Sequence, residues 1–281
     1  MAERVITEEA IEQFKEYLYK EEHSDGTVDN YLRNVREVAV WLGAQEITKE
    51  NLVAWKDSLI DRHLQPTTVN AKLAAICCFL RVMGWQDCQV RFLRVQRRVF
   101  RDKEKELTKC EYEKLLAVAH GRGNERLALL LETICATGVR VSEVQYITVE
   151  AAKRGRAEIT MKGKIRTILL PNKLCRKLLK YAKKTKTASG KIFLTRNGTA
   201  LSRKQIWAEM KSLCRAAGVS PGKVFPHNLR HLFATVFYRA CHDIVKLADV
   251  LGHSRIETTR IYLVTTGLEY ARQLEQLGLV S

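Results

Sequence analysis

Hydrophobic positions recur at helical spacing along most of the 281-residue chain. Within the first 90 residues, four amphipathic segments are separated by short polar breaks. The first segment starts near Thr7, the second follows a Ser-Asp-Gly break, and the others open at Thr48 and Pro66. Threonine and proline favour the first positions of a helix, so this pattern predicts four short helices. Four such helices joined by brief loops favour a compact bundle.

The rest of the chain keeps the helical period except between Arg156 and Leu170. Apolar residues there flank a Lys-Gly-Lys sequence around Gly163, which predicts a β-hairpin that turns near the glycine. Further helices are expected from Thr108, at 124–137, after Pro171, at 202–217, 227–241 and 243–251, from Ser254, and at 268–277, with a short strand at 192–194. The expected fold class is mainly α with a small β-hairpin, a four-helix bundle followed by a mixed α+β domain.

Charge divides the chain into two unequal parts. The formal net charge is +17, yet residues 1–96 carry 12 Lys and Arg against 15 Asp and Glu, a net of −3. Residues 97–281 carry the remaining 36 against 16, a net of +20, which indicates a polyanionic partner for that part. A charged stretch without apolar period, residues 97–107, is expected to link a first domain, 1–96, to a second, 108–281.

Cysteine usage and hydropathy set the expected compartment. Eight cysteines show no Cys-x-x-Cys pair and no histidine at zinc-ligand spacing, so we expect small core residues in a reducing compartment and no metal site. The chain has no run of 18 apolar residues and begins with a polar segment. We therefore expect a cytoplasmic protein that does not engage a membrane.

One stretch near the C-terminal end, residues 225–262, combines helical periodicity with chemically active side chains. If 227–241 is one helix, its apolar stripe consists of Leu229, Leu232, Phe233, Val236 and Ala240. His227, Arg230 and His231 then share the opposite, exposed face, because residues three and four apart are neighbours on a helix. An arginine fork and a histidine on one face suit an anionic oxygen.

The following connection is expected to bring a further histidine and a tyrosine to the same region. Gly252 occupies the place of a left-handed glycine that ends a helix, and His253 follows it. Ser254 and Glu257 have the spacing of a capping box, so Tyr262 is expected two turns into a mobile terminal helix. A phosphate-binding face followed by such a tyrosine suggests a nucleophile directed at a phosphodiester.

This order of residues resembles the tyrosine site-specific recombinases, the family of phage integrases and Xer-type recombinases. Their pattern has His-x-x-Arg, then Gly-His, then a tyrosine nine residues later, and the same order occurs here in His227, Arg230, His253 and Tyr262. Residues 136–143, Ala-Thr-Gly-Val-Arg-Val-Ser-Glu, are similar to the family's other signature, Ala-Thr-Gly-x-Arg-x-Ser-Glu. The resemblance covers essentially the whole chain.

Four further site residues come from the resemblance. The second signature has a glycine turn that delivers Arg140 to the start of a helix, where free N–H groups also favour phosphate, and Glu143 would orient the arginine or nearby backbone. The family's catalytic lysine lies in a hairpin with a Gly-Lys-Gly-x-Lys-x-Arg-like run. Here that run is one residue shorter and Met161 replaces its first glycine. We expect the general acid at Lys162, with Lys164 as a supporting residue.

The resemblance implies an enzyme that cuts and rejoins DNA by transesterification, without a metal, ATP or another cofactor. Tyr262 would attack a DNA phosphorus and form a 3′-phosphotyrosyl link. Arg140 and Arg230 would stabilise charge on the nonbridging oxygens. Lys162 would protonate the leaving 5′-oxygen, and His227 would take part in proton transfer around the tyrosine. His253 would hydrogen-bond the phosphate.

Architecture and partners follow from the same resemblance. The N-terminal bundle would be a SAM-like core-binding domain that clamps double-stranded DNA, with contacts through residues such as Lys72 and Arg81. Four protomers would act on two DNA sites, the free protein would be a monomer, and segment 267–281 would dock on a neighbour. An accessory protein, nucleoid association and an origin in a mobile element are compatible with this family.

Two other functions share these features. A type IB topoisomerase-like enzyme would use the same site and rejoin the same strands. A non-catalytic DNA-binding protein would be favoured by burial of Tyr262. A metal-dependent nuclease would need a carboxylate cluster, which the sequence does not offer.

Overall fold

The computed structural model describes residues 4–43, 45–95, 103–161, 164–262 and 275–277, with only the backbone of Lys103, Met161 and Lys164. The chain forms two compact units, Met1–Arg97 and Arg98–Ser281. Within the described residues, no helix combines the length and the apolar character needed to cross a lipid bilayer.

The first unit contains the four predicted helices. They are α1 (Glu8–Lys20), α2 (Asp25–Leu42), α3 (Lys49–Asp61) and α4 (Pro66–Val82), followed by a 3₁₀ turn at Gln86–Cys88. The side chains of Thr7 and Thr48 accept backbone hydrogen bonds and cap α1 and α3. Phe14, Trp55 and Phe79 are almost fully buried, and the rings of Phe14 and Phe79 meet edge to face at 5.4 Å. The bundle therefore encloses an apolar core of its own.

The described residues of the second unit form helices and one hairpin. Its helices are α5 (Lys109–Gly121), α6 (Glu125–Thr137), α7 (Val149–Arg154), α8 (Asn172–Lys184), α9 (Arg203–Ala217), α10 (Pro226–Cys241), α11 (Ile244–Leu251) and α12 (Ile256–Arg260), with 3₁₀ turns at Lys103–Lys105, Val141–Tyr146 and Pro221–Lys223. The predicted hairpin is present as β1 (Arg156–Met161), antiparallel to β2 (Lys164–Leu169).

The prediction of a strand at 192–194 is wrong. Lys191 and Leu194 form only isolated bridges, with Thr148 and Ala200. The chain turns back directly after Leu194, where Thr195 N–H donates to Thr199 O, so the apolar run is too short for a ladder.

Helix α10 buries Leu229 and Leu232 of the predicted apolar stripe, but the stripe ends sooner than predicted and Arg230 is buried as well. Arg230, expected on the exposed face, is only 3% exposed, whereas Val236 is 48% exposed and Ala240 is exposed as well. The reason is that α10 packs on two separate clusters. Leu229 enters the main core of the unit, and Ala234 enters a small cluster with residues of α11. Packing against both clusters turns the arginine inward.

The start of α12 also differs from the expectation. The helix begins after Arg255 and has no side-chain cap, so the predicted capping box at Ser254 and Glu257 is not formed. Tyr262 lies in the turn after this five-residue helix, where its N–H donates to Thr259 O at 2.9 Å. It is therefore not two turns into a helix. The helix expected at 268–277 lies outside the described residues except for 275–277.

Candidate active site

The candidate site begins where α6 ends against α10. Gly138 ends α6 with φ +63°, and a Cβ on it would lie 2.5 Å from a ring carbon of Phe233 on α10. A side chain here would be strained and would collide, so glycine permits the close approach of the two segments. Two residues later, Arg140 starts the 3₁₀ turn Val141–Tyr146, which is a shorter element than the helix expected there.

Arg140 and Glu143 are joined by two hydrogen bonds. Glu143 Oε2 accepts from the backbone N–H of Arg140 at 2.9 Å, and Oε1 accepts from its guanidinium at 2.8 Å. The Glu143 side chain is 7% exposed and that of Arg140 is 40% exposed. Burial raises the pKa of Glu143, but the bonds from Arg140 and the charge of Arg166 outweigh it and lower that pKa. The carboxylate is therefore ionised at neutral pH and holds an arginine that remains open to solvent.

Arg230 is a buried cation fixed by protein acceptors. Its Nη1 donates to Gly138 O, and its Nη2 lies 2.9 Å from both Leu251 O and His253 Nε2. Burial and then the positive charge of Arg140 lower the pKa of Arg230 to about 10. The guanidinium still carries its proton at neutral pH. Three anchors on two loops hold it in one orientation.

The hydrogen bonds of His253 define its tautomer. Because Arg230 can only donate, Nε2 of a neutral His253 accepts from it and the ring proton lies on Nδ1. Nδ1 is 2.9 Å from Thr259 Oγ1, which accepts a hydrogen bond from the Nδ1–H group. Burial and then the charges of Arg230 and Arg140 lower the pKa of His253 to about 4. The ring is therefore neutral near pH 7.

Tyr262 is 4% exposed and packs between the site and a small apolar cluster. Its ring lies 4.5 Å from that of His231 and 6.0 Å from that of His253, nearly parallel to the latter. Arg230 also hydrogen-bonds to Tyr262, which raises the pKa of the arginine against the effect of burial. Two of the predicted site residues, Arg230 and His253, therefore help to bury the tyrosine on one side.

For the other predicted site residues, the structure describes fewer contacts. His227 is exposed, and its ring lies 5.1 Å from that of His231. Loss of water around the ring, then the charges of Arg230 and Arg140, lower the pKa of His227. Lys162 lies outside the described residues, and of Lys164 only the backbone at the start of β2 is described.

Sequence reasoning missed two residues of the cluster. Arg166 on β2 donates to both carboxylate oxygens of Glu143 and to Val250 O. Its signal was present, since it ends the Lys-x-Arg part of the hairpin run. Thr259 is fully buried beneath His253, and a lone threonine in a helix carries no sequence signal for that contact.

Comparison with known proteins identifies the family. Residues 105–266 match the phage integrase family, and residues 11–87 match the N-terminal SAM-like domain of phage integrases. The chain belongs to the phage integrase family. Tyrosine recombinase XerA of Pyrococcus furiosus is 27% identical to this integrase-family chain over 100% of the chain and 98% of the relative. Tyrosine recombinase XerD of Caulobacter vibrioides is 30% identical over 78% of this chain and 77% of that protein.

Solved structures agree on the fold. The Tn1549 transposon integrase in complex with transposon right end DNA superposes with a TM-score of 0.72 at 15% identity, over 97% of this chain and 99% of that one. The family and fold class predicted from the sequence are confirmed. This integrase-family chain is a tyrosine recombinase, an enzyme of site-specific DNA recombination, and the non-catalytic alternative is wrong. Burial of Tyr262 was therefore a poor criterion, because side chains of the candidate site contribute to that burial.

Proposed function

We propose that this recombinase binds double-stranded DNA and cuts it through a 3′-phosphotyrosyl intermediate on Tyr262, with the scissile phosphate held by Arg140 and Arg230. The observation that carries the proposal is the partner set of Arg230. In the described part of the chain its guanidinium meets carbonyls, His253 and Tyr262 but forms no ion pair with a carboxylate. A buried cation without a counter-ion is costly, and an incoming phosphate anion removes that cost.

Arg140 complements Arg230 from the open side of the site. Each arginine lies within electrostatic reach of the other, because the charge of Arg140 lowers the pKa of Arg230. A phosphate between two repelling cations relieves that repulsion and gains charge on its nonbridging oxygens in the transition state. The positive charge needed for this chemistry is thus supplied by side chains. We expect cleavage without a metal or another cofactor.

Proton transfer is assigned to the histidines and the hairpin lysine. Lys162 protonates the leaving 5′-oxygen, with Lys164 in support, and His227 receives the tyrosine proton in this proposal. The ring of His231 lies 4.5 Å from that of Tyr262 and 5.1 Å from that of His227, so His231 is the neighbour through which the proposed transfer to His227 would pass. His253 donates to the phosphate only if Nε2 gains a proton, since that atom accepts from Arg230 before DNA binds.

The DNA-binding surface is assigned mainly to the second unit. Its sequence carries a net charge of +20 against −3 for residues 1–96, and phosphate contacts dominate protein–DNA affinity. In the first unit, Lys72 is paired with Glu37 and only 16% exposed, so it is a poorer candidate contact than the exposed Arg81. The Tn1549 integrase bound to transposon end DNA supports a DNA partner for this chain.

Assembly belongs to the same proposal. Four protomers act on two DNA sites, the free protein is a monomer, and segment 267–281 docks on a neighbour. Residues 1–96 serve as the core-binding domain, 97–107 as the linker and 108–281 as the catalytic domain. A cytoplasmic, nucleoid-associated location completes the proposal, which is compatible with an accessory protein and with either a mobile element or a chromosome as the source of the DNA site. Removal of 267–281 should leave binding to one site intact and impair pairing of two sites.

A covalent-capture experiment tests the proposed function. The full chain is incubated with fragmented genomic DNA in EDTA, denatured with detergent, and the protein-linked ends are sequenced. We expect ends clustered at defined sites, with protein on the 3′ side and a free 5′-hydroxyl opposite. Protein on 5′ ends would contradict the proposal. Defined-site relaxation without strand exchange between two duplexes would favour the topoisomerase-like alternative.

A further inference from the structure

Arg166 on β2 is enclosed where the hairpin meets the loop after α11. Its side chain is 12% exposed, its Nη1 lies 3.1 and 2.8 Å from the two oxygens of Glu143, and its Nη2 lies 2.9 Å from Val250 O. Gly252 covers its aliphatic stem with φ +62°, and a Cβ there would collide with Arg166 Cδ. The backbone is thus shaped to admit this arginine against Glu143.

Glu143 is shared by two arginines whose surroundings differ. Arg140 is 40% exposed and faces the open side, whereas Arg166 is enclosed and contacts both carboxylate oxygens. One carboxylate and two guanidinium groups give this triad a net charge of +1. Without Arg166 the triad would be neutral, and Arg140 would be the main counter-ion of Glu143. Because the Glu143 carboxylate is nearly buried, it would then attract the Arg140 guanidinium strongly.

We infer that Arg166 is a positioning residue for the proposed reaction, whose charge neutralises Glu143 so that Arg140 remains available to the scissile phosphate. The inference rests on the proposed role of Arg140. A purely structural role for Arg166, as a link between β2 and Val250, would depend on its shape and hydrogen bonds and would not depend on the charge of Glu143.

A double-mutant cycle separates charge from structure. Arg166→Met keeps an aliphatic stem beneath Gly252 and makes the triad neutral, whereas Glu143→Gln with Arg166→Met restores a net charge of +1. The readout is single-turnover formation of the covalent complex by saturating full-length protein on a nicked duplex that carries the captured cleavage site. Arg166→Met should be slower by about 10–100-fold, the range found for residues that orient metal ligands and so act through another side chain in the same way. In the Glu143→Gln background the same change should lower the rate of covalent complex formation by about threefold or less.

Two variants control for folding and location. Arg156→Met makes the same change on β1, where the side chain is 58% exposed and pairs only with Glu158 among its described ion pairs, so neither rate nor melting temperature should change appreciably. Arg166→Lys keeps the charge and loses the fork. It should retain most of the wild-type rate even if it melts at a lower temperature. A lysine variant as slow as Arg166→Met would overturn the inference, as would an equal loss in both Glu143 backgrounds.

A neutral substrate distinguishes this inference from the underlying function. Replacing a nonbridging oxygen of the scissile phosphate with a methyl group removes the charge that Arg140 is proposed to neutralise. Arg140→Ala and Arg166→Met should then both approach the wild-type rate on that substrate. If Arg140→Ala stays defective, the proposed role of Arg140 fails. If Arg140→Ala recovers and Arg166→Met does not, the inference about Arg166 is overturned while the proposed function stands.

Discussion

The two units of the chain bury polar groups in different ways. Among the described residues of the first unit, Asn34 is the one buried polar side chain, and the core is otherwise apolar and aromatic. The described residues of the second unit include six such side chains, which are Thr133, Thr137, Glu143, Asn228, Arg230 and Thr259. Two of them are charged, and three (Glu143, Arg230 and Thr259) hydrogen-bond other residues of the candidate site.

We interpret this difference as one between side chains that stabilise a core and side chains that are proposed to take part in cleavage. Burial of an ion costs several kcal/mol unless partners compensate, so a core that only stabilises the fold avoids it. The first unit follows that rule. The second unit departs from it at Arg230, which donates to the carbonyls of Gly138 and Leu251, and at Glu143, which accepts from Arg140 and Arg166. We therefore expect its chemistry to be sensitive to changes that the first unit tolerates.

Loss of the nucleophilic oxygen should have the largest effect. Tyr262→Phe keeps the ring contacts with His231 and His253, so folding and DNA binding should be unchanged while covalent complex formation falls below detection. Denaturing gel electrophoresis with end-labelled DNA measures this directly. Tyr270→Phe is the control and should form the adduct normally. A robust adduct from Tyr262→Phe would move the nucleophile elsewhere.

The charge difference between the units predicts where salt acts. Affinity for DNA should fall by about 10³–10⁵ between 50 and 200 mM salt if six to ten phosphates are contacted. A fragment of residues 98–281 should retain most of that slope, because the excess of positive charge lies there. Fluorescence anisotropy at several salt concentrations measures it. A shallow slope for the fragment would place the phosphate contacts in the acidic unit.

The hairpin lysine should matter only when the leaving oxygen needs a proton. Lys162→Ala should slow cleavage of ordinary DNA by about 10²–10⁴-fold, the usual contribution of acid catalysis. A substrate with sulfur in place of the bridging 5′-oxygen has a leaving group that needs no proton, so this variant should recover on it. Arg140→Ala should not recover there, because the nonbridging oxygens are unchanged.

Lys164→Ala is the matched control for that experiment. It should cleave both substrates at rates near the wild type. Should Lys164→Ala show the rescue while Lys162→Ala stays active on both substrates, the two assignments must be exchanged.

One glycine at a helix end in each unit allows a comparison in which smaller effects on stability and cleavage are expected. Gly43 and Gly252 have φ +59° and +62°, but a Cβ on Gly43 meets no atom within 4 Å, whereas one on Gly252 collides with Arg166. Gly43 has ψ −120°, a combination with positive φ that side chains rarely adopt, so Gly43→Ala should lower the free energy of unfolding by about 1–3 kcal/mol and leave cleavage unchanged. Gly252→Ala should cost more stability and also slow cleavage. Equal effects of the two changes in denaturation and cleavage assays would contradict this account of the loop.

Acid should weaken the second unit through His253. The folded ring titrates at about 4 and an unfolded histidine at about 6.5, so between these values the unfolded chain binds more protons. The free energy of unfolding should therefore fall as pH falls from about 6.5 to about 4, by at most about 1.4 kcal/mol per pH unit. His253→Gln should show a shallower fall in urea denaturation at pH 7 and pH 5. Identical slopes would remove His253 as the cause.

Local signals in the sequence predicted the elements well and the burial less well. Capping residues such as Thr108 and Ser202 lie at the helix starts they predicted, because a cap depends on four neighbouring residues. Arg230 was expected on an exposed face, since helical spacing alone cannot tell which of two clusters a helix packs against. Arg166 and Thr259 act through contacts with residues distant in sequence or without a motif, and only the folded chain brings them to Glu143 and His253.

The central claim is that the cutting chemistry belongs to the second unit and to one tyrosine within it. Covalent complexes trapped on the captured cleavage site can be digested with protease and nuclease, and the nucleotide-bearing peptide sequenced by mass spectrometry. The account predicts a single modified residue, Tyr262, linked to the 3′-phosphate, together with a free 5′-hydroxyl on the other strand end. A nucleotide on any other residue, or a 5′-phosphate link, would contradict it.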